Sequence, residues 1–375
     1  MKKWNKYSTL FFLAGCFFIA QAVYSQKEVD SIIKEANKQI YENPELAIEL
    51  AQKAYNNPEV TVRNKINILL AISTAYSSKR DYGKSSEYVE QIKELLPKIN
   101  DVRQKMNILN RIAGHYQELQ IYDKALEYLD ESLVLIEKYP QKDSIQSFLG
   151  YNATLRGFIY REQMNCDIAL TYFNKAIEAY KKTLERHLMN ANLSICYYNK
   201  GNCLLSLGKN EEAEASYLKS IAHAETIEAK SLIAFGQKGL AEAKTMEGNY
   251  NEAISLLKDA STISESVGDL ILNQGLYEGL SNNYLAIHDY DHYTIFHNKF
   301  ITLQEENKKS ERKTVNQSLI NLTEGKAKEI EQLKTHYGPI QICLLIVVLA
   351  SLILLLRFVF FEEKKLKKLQ EKLKN

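Results

Sequence analysis

The sequence predicts an all-α chain: a solenoid of about seven helix pairs, then a long polar helix, then one transmembrane helix. Three observations carry this. Only five Pro occur in 375 residues, so little in the chain interrupts helix. The stretch MNILNRIAGHYQELQIYDKALEYLDESLVLIEKY, residues 106–139, recurs in worn form over most of residues 28–307, and self-similarity at a fixed period is the signature of stacked repeats. Residues 340–361 are 22 positions whose only strongly polar members are Gln341 and Arg357 near the ends.

Within the template, counted from Met106 as position 1, Leu109, Ile112, Ala113 and Tyr116 fall at positions 4, 7, 8 and 11, one face of a helix. A turn at Gln120 to Asp123 follows, and then Ala125, Leu129 and Ser132 at positions 20, 24 and 27 make the facing stripe of a second helix. Small residues at 8, 20 and 27 permit close packing. This spacing resembles the tetratricopeptide repeat (TPR), a helix pair of about 34 residues that cannot bury its stripe alone and must stack on neighbours. The resemblance covers roughly three quarters of the chain and implies a TPR-like α-solenoid.

Seven copies align, beginning near Glu28, Ile66, Met106, Gly150, Ser194, Ala234 and Gln274, at intervals of 38, 40, 44, 44, 40 and 40 residues. The excess over about 34 predicts helices longer by about a turn, or larger loops. The second copy keeps Leu69, Ile72, Ser73 and Tyr76, then Ser85, Val89 and Ile92, with Pro97 to stop its second helix. The fourth keeps Gly157, Tyr160, Ala169, Phe173 and Ala176; the fifth Gly201, Leu204, Ala213, Tyr217 and Ser220; the sixth Leu240, Ala241, Ala253, Leu257 and Ala260. The end copies are the most degenerate, as expected where one face has no neighbour: the first offers Ala47, Ala51 and Ala54, and the seventh places Tyr293 where a small residue belongs.

The predicted segments are 1–25 signal peptide, 26–307 solenoid, 308–339 polar helical linker, 340–361 transmembrane helix and 362–375 basic tail. Lys2, Lys3 and Lys6 precede an apolar stretch, and Val23-Tyr24-Ser25 is a plausible cleavage site. Leu13-Ala14-Gly15-Cys16 also reads as a lipobox, and an uncleaved membrane helix is the plainer alternative. In the linker Val315, Leu319, Leu322, Ile330 and Leu333 form a sparse stripe near heptad spacing, open to a cap, a solvated stalk or a weak coiled coil joining two copies. Gly338-Pro339 is expected to break that helix. The 22 apolar residues then span roughly 33 Å, enough to cross a bilayer. Seven Lys or Arg from 357 onward, against three in 320–339, put the C-terminus inside and the solenoid outside the cytoplasm.

Net charge is +2 and the excess sits in the tail, so the solenoid lacks the cationic footprint that direct nucleic-acid binding requires. Its cysteines are Cys166, Cys196 and Cys203; the last two stand too far apart on one helix to bridge, whereas Cys166 could bridge either, and buried free thiols are the simpler reading. His288-Asp289-Tyr290-Asp291-His292, with His297, is the one cluster resembling metal ligands, but it lacks a recognised spacing and reads as a solvated turn. No nucleophile elbow, phosphate loop, zinc-protease helix or dinucleotide fingerprint occurs. The reading is therefore of a non-enzyme with no cofactor and no metal site.

What the TPR resemblance implies is a concave groove lined by positions 2, 5, 9 and 12 of each first helix. Those positions hold Asn107, Asn110 and Gln117; Tyr151, Thr154, Phe158 and Arg161; Ile195, Tyr198, Asn202 and Leu205; and Phe235, Lys238, Glu242 and Thr245. The expected partner-binding set is Asn107, Asn110, Gln117, Tyr151, Arg161, Tyr198, Asn202 and Lys238, because amides can hydrogen-bond an extended peptide backbone while aromatics supply contact area. The Lys-and-Asn pattern of carboxylate-clamp TPR proteins is not matched. The order of segments is similar to the sensor half of bacterial TPR membrane regulators, which continue into a LuxR-type helix-turn-helix or a histidine kinase. That resemblance implies a single-pass protein of the bacterial inner membrane with a periplasmic solenoid, acting as a scaffold or sensor for a protein or peptide. The fourteen residues after Phe361 are too few for either output domain, so the alternative is a signalling or transcription regulator whose output is missing or supplied in trans.

Overall fold

The structure, a computed structural model, describes residues 28–40, 43–57, 60–79, 81–264 and 269–374. The expected signal peptide and Cys16 lie outside the described residues. Among the described residues there are fourteen α-helices and no strand. The chain divides into two compact units, residues 1–315 and 316–375.

The first unit is a stack of antiparallel helix pairs. They are α1 (28–39) with α2 (Pro44–Tyr55), α3 (Val62–Ser78) with α4 (Tyr82–Leu95), α5 (Val102–Glu118) with α6 (Tyr122–Lys138), and α7 (Gln146–Glu162) with α8 (Cys166–Lys182). Then come α9 (Asn190–Ser206) with α10 (Asn210–Glu225), α11 (Lys230–Met246) with α12 (Tyr250–Ser264), and α13 (Leu270–Ala286) with the start of α14 (Tyr290–Lys374). From α3 onward every first helix is 17 residues long and begins four residues before the template's position 1. The surplus over the basic repeat is thus one extra N-terminal turn, and short 3-10 helices at Leu96–Lys98, Lys142–Ile145 and Arg186–Met189 fill the connections ahead of α5, α7 and α9.

Polar residues start several of the helices by holding orphan amides: Asp101 Oδ1 accepts from Arg103 and Gln104 N–H at 2.9 and 3.2 Å, and Asp269 Oδ1 does the same for Ile271 and Leu272. The hairpin turns share one device. Position 15 is left-handed at Gln120, Met164, Gly208, Gly248 and His288, with φ of 59, 58, 73, 81 and 61°. His288 is therefore the turn residue of the seventh pair, not the start of a ligand cluster.

The stripe is buried as the template predicts: Leu69, Leu109, Ile112, Ala113, Ala125, Leu129, Phe173, Ala176, Tyr217 and Leu257 are all at most 1% exposed. Side-chain volume trades across the third to sixth pairs. Where position 24 is Leu129 or Leu257, position 8 is Ala113 or Ala241; where it is Phe173 or Tyr217, position 8 is Gly157 or Gly201. A Cβ on Gly157 would stand 2.5 Å from Phe173 Cε1, and one on Gly201 2.6 Å from Tyr217 Cε1. Positions 11 and 23 carry a further repeat feature, stacked tyrosines: Tyr76–Tyr88, Tyr116–Tyr128 and Tyr160–Tyr172, with ring centroids 5.7, 5.6 and 5.4 Å apart. Lys84 lies over the Tyr76 ring and Lys175 over Tyr172, adding cation–π attraction to the spine.

The second unit is helix throughout its described length. Here the expected break at Gly338-Pro339 is corrected, because α14 runs through Pro339. A proline removes one backbone donor and bends a helix, but strong helix formers on both sides can carry the helix across it, most readily in an apolar run. The segment Leu333–Gln370 is long and apolar enough to cross a membrane and is 0% buried.

Candidate functional site

The inner face of the stack holds a groove of about 530 Å³ lined only by first helices and the end of α1. Asn37 and Ile40 close one side, Thr74 comes from α3, and α5 contributes Asn107, Arg111, Gly114, Gln117 and Glu118. Ser147, Phe148, Tyr151, Thr154, Leu155 and Phe158 from α7, with Ala191, Asn192 and Ile195 from α9, complete it. Five helices from five successive repeats therefore converge on one surface. Ser147, Phe148, Ala191 and Asn192 belong to the additional N-terminal turn, so the longer repeat deepens the groove beyond the basic TPR positions.

Polar groups are held in place along this surface. The Arg111 guanidinium lies near the Tyr151 hydroxyl, whose pKa is raised by burial against the opposing pull of that cation. Tyr151 has room because its neighbour on α5 is Gly114, where a Cβ would come 3.1 Å from the hydroxyl. Ser77 donates to Glu118, giving the groove one fixed cation and one fixed anion. Asn107 and Gln117 are half-buried and, among the described residues, make no side-chain hydrogen bond within the protein. Their amides face the groove with donors and acceptors in hand.

Of the eight expected residues, the structure brings Asn107, Gln117 and Tyr151 into this groove. Asn110 is not available to a ligand: it is 0% exposed, donates to Phe148 O at 3.0 Å and accepts from Asn152 Nδ2 at 3.0 Å. Asn152 also donates to Leu129 O at 2.8 Å and accepts from Arg156 Nε at 3.0 Å, so the expected groove amide belongs to a buried network that joins the third repeat to the fourth. Thr154 is likewise buried, donating to Gly150 O at 2.9 Å. Arg161 donates to Asn199 and pairs with Glu162. Tyr198, Asn202 and Lys238 form a separate cluster. The Tyr198 ring lies 5.5 Å from Phe235 and 6.0 Å from Tyr217, whose hydroxyl donates to Asn202 Oδ1 at 2.9 Å. Burial penalises the Lys238 ammonium, but Tyr198 and the carboxylates of Glu242 and Glu278 outweigh it and its pKa is raised. Arg111 and Phe148 were missed; Arg111 directly follows position 5, Phe148 lies two residues ahead of position 1, and only the 40- and 44-residue intervals signal that the lining is wider than the basic repeat.

A tetratricopeptide-repeat family model matches residues 148–226 and 193–266. Residues 148–266 are built of tetratricopeptide repeats. No curated protein matches the sequence. Among solved structures, the TPR array is similar to NprR in complex with its cognate peptide NprX at 15% identity, covering 86% of this chain and 95% of that one with a TM-score of 0.55. A Rap protein complexed with competence and sporulation factor matches at 14% identity over 76% of this chain and 99% of its own, TM-score 0.51. The apo form of RapI matches at 15% over 75% and 99%, TM-score 0.52. These likenesses establish the TPR fold.

His288 in the turn before α14 and His292 in its first turn are spent locally. His292 Nδ1 lies 2.8 Å from Asp289 Oδ2 and stacks on Tyr284 at 4.7 Å, while His288 Nδ1 lies 3.3 Å from the Tyr290 hydroxyl. Among the described residues no group of three or more His, Cys, Asp or Glu could hold a metal ion.

Proposed function

We propose that the TPR groove binds an extended peptide segment of a partner protein, and that the chain presents this groove from a membrane. The observation that carries the reading is the convergence of unpartnered amides, Asn107 and Gln117, with Phe148, Tyr151 and Phe158 on one surface of about 530 Å³. Amides in such a position can take up the alternating N–H and C=O of an extended backbone, and the rings supply apolar contact. NprR and the Rap protein, both solved with bound ligands, support the same use of a TPR surface.

Anchoring rests on α14. Residues 340–361 are exposed along their whole length, an arrangement that water disfavours and lipid satisfies. The basic tail then orients the span with its C-terminus in the cytoplasm and the solenoid outside, making the protein a scaffold or sensor on the far side of the membrane. Ile330 and Leu333 are exposed as well, and a second copy packed along 308–336 would cover them.

The test is a selection of extended peptides from a random library on the solubilised full chain, repeated with Asn107→Ala/Gln117→Ala. The reading expects peptides that the parent retains and the double variant loses, with both proteins melting alike. Peptides retained equally by both would refute the groove as the binding surface.

A further inference from the structure

The three solenoid cysteines have separate surroundings. Cys196 is fully buried, with its sulfur 3.2 Å from Thr154 Oγ1 beside Tyr180, and burial pushes its thiol up to about 12. Cys203, two turns later on α9, is also fully buried but lies in another cluster, with Ala169 and Phe173 of α8. Cys166, the first residue of α8, is half-exposed and packs on that same cluster, beside Cys203. All three are thiols in this structure.

We propose that Cys166 and Cys203 are a redox pair that closes to a disulfide joining the fourth repeat to the fifth. The oxidant is a disulfide of a small thiol or of a thiol–disulfide exchange protein. Access sets the order of steps, because only Cys166 reaches solvent. Its thiolate attacks one sulfur of the oxidant, forming a mixed disulfide and expelling the other sulfur, which takes up the proton that Cys166 lost. Cys203 then attacks Cys166 Sγ; the new bond forms, the bond to the oxidant's remaining sulfur breaks, and that sulfur leaves with the proton from Cys203. Two protein thiols are oxidised, one disulfide is reduced to two thiols, and no hydrogen is unaccounted for. Burial raises the Cys203 pKa, so that thiol is inert until the mixed disulfide places an electrophilic sulfur against it.

The bond would sit directly behind the groove. Phe158, which lines the groove, packs its ring 5.9 Å from that of Phe173 in the cysteine cluster. Closing the pair therefore fixes α8 to α9 at the base of Phe158 and stiffens the surface that would meet a peptide. Export to an oxidising compartment would keep the pair closed, whereas a reducing one would keep it open.

The experiment oxidises the reduced, detergent-solubilised full chain with glutathione disulfide, quenches with acid, alkylates the remaining thiols and maps peptides by mass spectrometry. The expected product is a Cys166–Cys203 linked peptide, with Cys196 and Cys343 alkylated, and a melting temperature several degrees above that of the reduced chain. In Cys203→Ser the second step is blocked, so glutathione should remain on Cys166; Cys203→Ala serves if the serine variant does not fold. Glutathione left on Cys166 in the parent chain, a Cys166–Cys196 link, or full alkylation of both cysteines after oxidation would each overturn the pairing.

Discussion

Gly157→Ala is the substitution on which helix propensity and packing disagree most openly. Alanine is favoured over glycine inside a helix by about 1 kcal/mol, so α7 taken alone should gain. Against this, the new Cβ would meet Phe173 Cε1, Cδ1 and Cζ at 2.5, 2.7 and 2.9 Å. Phe173 is 0% exposed, with Ala169, Cys203 and Phe158 around it, and its ring has no flexible end to swing away. Overpacking of this kind costs roughly 1 to 3 kcal/mol, and three ring atoms in collision place it at the upper end, for a net loss of about 1 to 2 kcal/mol. The third and sixth repeats show the remedy, since Ala113 faces Leu129 and Ala241 faces Leu257. Phe173→Leu alone opens a cavity and should cost about 1 to 2 kcal/mol, yet combined with Gly157→Ala it should restore most of the loss. The assay is a double-mutant cycle in urea on the solubilised full chain, following helix content. A coupling of about 1 to 3 kcal/mol in favour of the double variant is expected. Additive losses, or a single Gly157→Ala variant as stable as the parent, would refute the volume trade between positions 8 and 24.

Two further outcomes follow from burial. Leu109→Ala should cost about 2 to 5 kcal/mol by the same unfolding measurement, whereas Lys124→Ala, which removes only a surface pair with Glu127, should stay within about 0.5 kcal/mol. His115 is buried between Ser85 and Ser86, with ring nitrogens 3.2 and 3.0 Å from their hydroxyls, and burial together with Lys93 lowers its pKa from 6.5 to about 4. The unfolded chain therefore takes up a proton near pH 6.5 that the folded chain refuses until about 4, so this contribution is complete above 6.5 and lost as pH falls between those values. The loss should approach about 3 kcal/mol at its limit, and the parent's extra sensitivity between pH 7 and 4.5 should disappear in His115→Gln.

The repeat was legible in the sequence because each pair must bury the same stripe: Leu109, Ala113 and Leu129, with Leu69, Phe173, Tyr217 and Leu257 at matching offsets, are all buried. Local pattern could not say how far a helix continues. The extra turn before Met106 and Gly150 holds polar and apolar residues alike, and α14 passes Pro339 because the residues on either side sustain it. The groove was legible in part. Asn107, Gln117 and Tyr151 line it because a first helix turns the same face inward in each repeat. Asn110 failed because it meets the Phe148 carbonyl and Asn152 across a repeat boundary, and periodicity does not tell a solvated amide from a buried, satisfied one. The stacked tyrosines, visible as recurrences at positions 11 and 23, had no meaning until the two helices were set side by side.

Where a bound peptide lies is the most direct question to put to this reading. A photo-crosslinking residue placed at Gln117, in the groove, or at Glu127, exposed on α6, would be irradiated in the full chain with a selected peptide. The groove reading predicts a peptide adduct from position 117, competed away by unlabelled peptide, and none from position 127. Adducts from 127 with none from 117 would contradict it.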